Sequence, residues 1–143
     1  MPQGGEVYHY PGYVFPDNAT KDKYVVLMGQ TISGDWIVAR TTSRGNGRSI
    51  SPACSYGPPY SSFFLGKIQD IFVRDTWFVL DRLDDHDERD FDQKIATKAI
   101  SLIKPLPIQV FCEALTCAMA AEAATCQQER AMHDLRAGLH CVG

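Results

Sequence analysis

Apolar residues in the first half of the chain come in short bursts separated by turn chemistry. Glu6-Val7-Tyr8-His9-Tyr10 is rich in β-formers and stops at Pro11-Gly12, and Tyr13-Val14-Phe15 is closed by Pro16-Asp17-Asn18. Tyr24-Val25-Val26-Leu27-Met28 is a continuous apolar run ending at Gly29, the pattern of a buried strand. Ser33-Gly34-Asp35 then turns the chain into Trp36-Ile37-Val38-Ala39-Arg40-Thr41-Thr42, which predicts a hairpin. Residues 43–62 are rich in Gly, Ser and Pro and read as one long loop, of a length that is often functional. Phe63-Phe64-Leu65 and Trp77-Phe78-Val79-Leu80 resume the strand pattern. Short strands at this spacing predict a small antiparallel barrel or sandwich.

After Asp92 the period changes. Ile95, Ala96, Ala99, Ile100, Leu102 and Ile103 recur at helical spacing, and Lys104-Pro105-Leu106-Pro107 ends that helix because proline blocks the backbone ladder. Residues 108–139, rich in Ala, Leu and Glu, read as one long helix or two. The pattern as a whole predicts an α+β chain, strands first and helices second. It is read as a single domain over 1–143, with β structure in 1–92 and a helical extension in 93–143.

Composition narrows the class. The chain has 143 residues, 45% of them hydrophobic, enough for one domain with a real core and too apolar for wholesale disorder. No window holds the ~18 consecutive apolar residues of a membrane-spanning helix. The stretch Met1-Pro2-Gln3-Gly4-Gly5-Glu6 has neither the basic start nor the apolar run of a secretory signal. A soluble cytoplasmic protein is expected, with no membrane association. The five cysteines, Cys54, Cys112, Cys117, Cys126 and Cys141, are irregularly spaced and lack a Cys-x-x-Cys pair. They are expected to be reduced thiols rather than a disulfide framework or a metal site drawn through Cys126, His133, His140 and Cys141.

Charge is uneven beneath a net −3. Residues 81–93 hold seven acids against Arg82 and Arg89, whereas Arg40, Arg44 and Arg48 form a local basic strip. A global balance of this kind argues against strong non-specific nucleic-acid binding and leaves room for a local site. Within Asp84-Asp85-His86-Asp87-Glu88, His86 admits three readings. It is an acid–base group whose pKa the carboxylates raise, part of an oxygen-rich cation site, or a member of a solvated acidic turn that complements a helix N-terminus. The tyrosines at 8, 10, 13, 56 and 60 suit either base stacking or ordinary core packing.

Four segments carry a family resemblance over residues 5–92. They are Gly5-Glu6-Val7-Tyr8, Lys21-Asp22-Lys23-Tyr24-Val25-Val26-Leu27, Ile37-Val38-Ala39-Arg40-Thr41-Thr42-Ser43, and Val79-Leu80-Asp81-Arg82-Leu83 with Asp87. In order and spacing the chain resembles the MazF/PemK family of toxin ribonucleases, which share a small SH3-like barrel with the CcdB toxins. The resemblance implies metal-independent cleavage of single-stranded RNA by attack of the ribose 2′-hydroxyl, with no cofactor. That chemistry needs a base, a cation or donor for the phosphorane, and an acid. The resemblance implies Arg40 and Thr42 for phosphate contact and His86 and Asp87 for proton transfer. Substrate binding is expected of Thr41 and Ser43, which match the family's Thr/Ser strand end, and, on their own chemistry, of His9, Lys21, Lys23 and Arg44. Expected partners are a cognate antitoxin and a second copy of the chain in a homodimer.

Two departures set the chain apart. The Arg-Thr pair usual in the family is replaced by Asp84 and Asp85, and a carboxylate at a phosphate site repels substrate. Some fifty helical residues follow the barrel. These departures favour a second reading, a non-catalytic SH3-like interaction module whose helices mediate assembly.

Overall fold

The structure, a computed structural model, describes residues 2–141. Its strands are β1 (Glu6–Val14), β2 (Thr20–Gln30), β3 (Trp36–Thr42), β4 (Cys54–Tyr56), β5 (Ser61–Ile68), β6 (Phe72–Val79), β7 (Asp84–His86) and β8 (Ser101–Pro105). Its helices are α1 (Glu88–Ala96), α2 (Ile108–Met119) and α3 (Cys126–Gly138). The strands form one eight-stranded antiparallel sheet in the order β4-β5-β6-β3-β2-β1-β8, with β7 added beside β3. The strand path is open, ending at β4 and β8, so the architecture is α+β without a closed seam among the described residues.

β3 divides its pairing. Trp36, Ile37 and Val38 pair with His86, Asp85 and Asp84 of β7, whereas Thr41 and Thr42 pair with Phe78 and Trp77 of β6. Strand alternation sends successive residues of β1, β2 and β3 to opposite faces. Val7, Val26, Met28, Ile37 and Ala39 join Phe63, Phe78 and Leu80 and the inner faces of α2 and α3 in one core. Tyr8, Tyr10, Tyr13, Val25, Leu27, Trp36 and Val38 form a second core, covered by Phe91 of α1 and by Ile100. Burial on both faces explains why 24–28 is a continuous apolar run rather than an alternating one.

A register shift between Tyr10 and Tyr13 makes β1 a single strand, although its sequence reads as two. Gly12 takes the extra position at φ 69°, a conformation that favours glycine. The bulge returns Tyr13 to the face already occupied by Tyr8 and Tyr10.

Several sequence expectations need correction. The helix expected over 92–103 ends at Ala96, Lys98 turns left-handed (φ 64°), and 101–105 forms β8 on the edge of β1. The edge hydrogen bonds of β1 outcompete a helical period that rested on few residues. The 43–62 loop contains β4, paired with β5 through Cys54↔Phe63 and its neighbours. Residues 108–139 form two helices, the second opened by a capping box between Thr125 and Gln128.

The cysteines are not all reduced. Cys54–Cys117 ties β4 to α2, and Cys112–Cys141 ties α2 to the chain beyond α3, while Cys126 is unpaired and exposed. The pairings span 63 and 29 residues of sequence, so spacing carried no trace of them. Loops of such length give each bond about 4 kcal/mol in the chain-entropy account. No helix among the described residues is long and apolar enough to cross a membrane.

Candidate nucleic-acid interface

The face of the sheet that holds the second core changes character along its length. On β3 it runs Trp36, Val38, Arg40, Thr42, and on β2 it runs Leu27, Val25, Lys23, Lys21. The cross-strand partners of Lys23 and Lys21 are Tyr10 and Tyr13. Apolar side chains under α1 therefore give way to cations where the helix no longer covers the sheet.

A groove of about 640 Å³ opens at this cationic end. Lys21 and Lys23 from β2, Thr41 and Thr42 from β3, Ser43, Arg44 and Arg48 from the following loop, and Arg74 from β6 all line it. Asp22 is the one carboxylate in the lining, and it accepts the backbone N–H of Gly12 at 3.1 Å. Burial, followed by the fields of Lys21, Arg40, Arg44 and Arg48, pushes the Lys23 ammonium below its usual pKa. Lys23 Nζ lies 5.9 Å from the Phe15 ring centroid and the Arg40 guanidinium 5.1 Å from it. The Arg48 guanidinium sits 4.2 Å over Tyr60. The buried Nε atoms of Arg40 and Arg48 have no hydrogen-bond partner among the described residues. Such a surface suits a polyanion with flat groups, because cations meet phosphate oxygens and guanidinium planes meet bases.

Beside the groove lies a buried polar cluster. Asp84, with a side chain 9% exposed, accepts hydrogen bonds from Tyr13 Oη and from Arg82 Nε, the latter at 2.5 Å. Arg40 Nε stands 4.0 Å from the same carboxylate. The Tyr13 phenol is pushed well above its usual pKa by burial and then by Asp84. His86 stacks on Tyr13, with Nε2 3.3 Å from the phenol oxygen. Burial lowers the His86 pKa despite the opposing fields of Asp84, Asp90 and Asp85. The expectation of a raised value is thus corrected: desolvation of the imidazolium outweighs attraction to the carboxylates. Asp84 is likewise no bare anion at a phosphate site, since two arginines and a phenol offset its charge.

The structure divides the candidate residues. Arg40, Thr42, Lys21, Lys23, Ser43 and Arg44 gather at the cationic end of the sheet. Thr41 is at that end too, but it is buried and its hydroxyl donates to the Tyr24 carbonyl at 2.7 Å. His86 and Asp87 belong to the far end of β3, where a separate hollow of about 420 Å³ is lined by Tyr10, Asp85, Asp90 and Lys94. Trp36, the partner of His86, is six positions from Thr42, roughly 20 Å along a strand. The Asp87 carboxylate accepts the Asp90 N–H at 3.0 Å and caps α1. His9 projects from the opposite face of β1 and packs on Tyr24, ring centroids 5.1 Å apart. Among the described residues no group of three or more His, Cys, Asp or Glu is placed to hold a metal ion, the 84–90 segment included.

Arg74 and the pairing of Asp84 with Arg82 and Tyr13 are not among the sequence expectations. Matching strand parity along 21-23-25-27 and 36-38-40-42 would have aligned Lys21 and Lys23 with Arg40. Nothing local in the sequence points to Arg74, whose position depends on the β5–β6 hairpin. No protein-family model, no curated protein and no solved structure matches the chain.

Proposed function

We propose that this chain is a MazF/PemK-like toxin that binds single-stranded RNA in the cationic groove and cleaves it without a metal, by attack of the ribose 2′-hydroxyl. One observation carries the reading: Lys21, Lys23, Arg44, Arg48 and Arg74 converge from three parts of the chain on one groove. Lys and Arg at this density neutralise consecutive phosphates, and the hydroxyls of Thr42 and Ser43 add hydrogen bonds. An SH3-like barrel belongs to the same reading. It is supported by β3, which pairs with β2 and β7 along one stretch and with β6 along another, the strand sharing that a barrel requires.

Phosphate binding falls to the groove cations, with Arg40, which neighbours Lys23 and stands 4.0 Å from Asp84, as the stabiliser of a pentavalent phosphorane. Lys23, half-buried among cations, has its ammonium pushed below the ordinary lysine pKa and is the groove group assigned to proton transfer. His86 and Asp87 line the separate hollow beside α1, and His86 is linked to Arg40 through Tyr13 and Asp84. This reading puts the chain in the cytoplasm, where disulfides are transient or redox-sensing bonds rather than permanent staples. A cognate antitoxin and a second copy of the chain remain the partners it calls for.

The second reading, a non-catalytic interaction module, is favoured by the employment of Asp87 as a helix cap and the enclosure of His86 against Tyr13. Single-stranded RNA incubated with the protein in EDTA separates the two. The first reading expects fragments ending in 2′,3′-cyclic phosphate, lost in Arg40→Ala and in Arg44→Ala/Arg48→Ala. RNA left intact at micromolar protein would replace it with the second.

A further inference from the structure

We propose that the Cys54–Cys117 disulfide regulates the cationic groove, holding its loop in the binding geometry when oxidised and releasing it when a dithiol reduces the bond. The inference rests on the reading of the groove as an RNA site, and concerns what keeps that site assembled.

The loop of residues 43–53 brings Arg44 and Arg48 to the groove. Its first residue continues β3, a strand inside the sheet, and its last precedes Cys54 in β4. β4 is only three residues long and lies at the outer end of the strand order, so pairing anchors that end of the loop weakly. The covalent bond to Cys117 compensates. Cys117 is buried in α2, a helix that packs into the main core through Phe111, Ala114, Leu115 and Ala118. Tyr56 Oη, donating to the Cys117 carbonyl at 3.1 Å, ties β4 to α2 a second time. Other anchors of the loop are non-covalent: Trp77 Nε1 donates to the Ser49 carbonyl and the Phe64 N–H to the Ala53 carbonyl, both at 2.9 Å, the Arg44 N–H donates to Thr42 Oγ1 at 3.2 Å, Arg48 lies over Tyr60, and Ala53 packs on the main core.

A reductant has access, because both disulfides line one open cleft of about 860 Å³ beside α2. A dithiol supplies two electrons and two protons: the Cys54–Cys117 S–S bond breaks into two thiols, and the dithiol closes into its own cyclic disulfide. Cys112–Cys141 offers an internal control. It opens to the same cleft but ties α2 to the C-terminal tail, with no groove residue beyond it.

The experiment titrates oxidised and dithiothreitol-reduced full-length protein into a fluorescein-labelled, random-sequence single-stranded RNA and follows anisotropy. Reduction is expected to weaken binding about tenfold, the factor for re-ordering one freed backbone residue. Cys54→Ser/Cys117→Ser should bind as weakly without reductant, and Cys112→Ser/Cys141→Ser should match the oxidised protein. Unchanged affinity after thiol titration proves the bonds open would overturn the proposal. Hydrogen exchange of residues 44–53 supplies an arm independent of RNA. Faster exchange there on reduction, with core amides still protected, supports the clamp even if oxidised protein binds no RNA, an outcome that removes only the groove reading. No change in exchange, or acceleration throughout the chain, overturns the clamp itself.

Discussion

Asp84 shows how one residue can be misread from its neighbours. In sequence it is one acid among seven in a thirteen-residue segment; in the fold it is the shared acceptor of Tyr13 and Arg82, with Arg40 at 4.0 Å. Asp84→Ala leaves a buried phenol and part of an arginine pair without an acceptor, and should cost about 3 kcal/mol of stability, measured by urea unfolding. His86 gives a pH signature. Its folded pKa lies below the ordinary 6.5, so the unfolded chain takes up the proton first. Stability is complete above about 6.5 and declines as pH falls from there through the folded value. The melting temperature of wild-type protein should therefore fall more steeply over that interval than that of His86→Gln. Parallel profiles for the two proteins would contradict the assignment.

At the scale of elements, Gln128 locks α3 to the sheet. Its backbone and side chain complete the Thr125 capping box, and its Nε2 donates to the Leu83 carbonyl at 3.3 Å and to Asp85 Oδ1 at 3.0 Å. Gln128→Ala removes a cap and strands a buried carbonyl, which should cost about 2 kcal/mol in chemical unfolding. The contacts of Gln128 to Leu83 and Asp85 have no local signal in the chain, because they join residues more than forty positions apart. The same boundary recurs elsewhere. The β2–β3 hairpin was legible because 24–28, 33–35 and 36–42 each carry a local signal. β8 and β7 were not, because each is a short edge strand created by pairing with β1 or β3. The bulge at Pro11-Gly12 reads as a chain break, whereas the hydrogen bonds of β2 carry the strand across it. Disulfide pairing over 63 and 29 residues likewise arises only once the helices have docked.

For the whole molecule, the organising feature is a sheet buried on both faces whose end beyond α1 forms a cationic groove with β6 and the 43–48 loop. The strand periods of 21–27 and 36–42 made one grouping legible, because Lys21, Lys23, Arg40, Thr42, Ser43 and Arg44 share one end of the sheet. The placement of His86 and Asp87 was not legible, since strand order alone could not tell that β7 pairs with Trp36, Ile37 and Val38 of β3. A net charge of −3 thus coexists with a local cationic surface, because the acids concentrate on β7 and α1. The most direct test of this account is RNA affinity as a function of salt. With five groove cations engaged, the logarithm of the association constant should fall against that of salt with a slope of about −3.5, and Arg44→Ala should lower its magnitude by about 0.7. Absence of binding at low salt, or a slope that Arg44→Ala and Arg48→Ala leave unchanged, would contradict it.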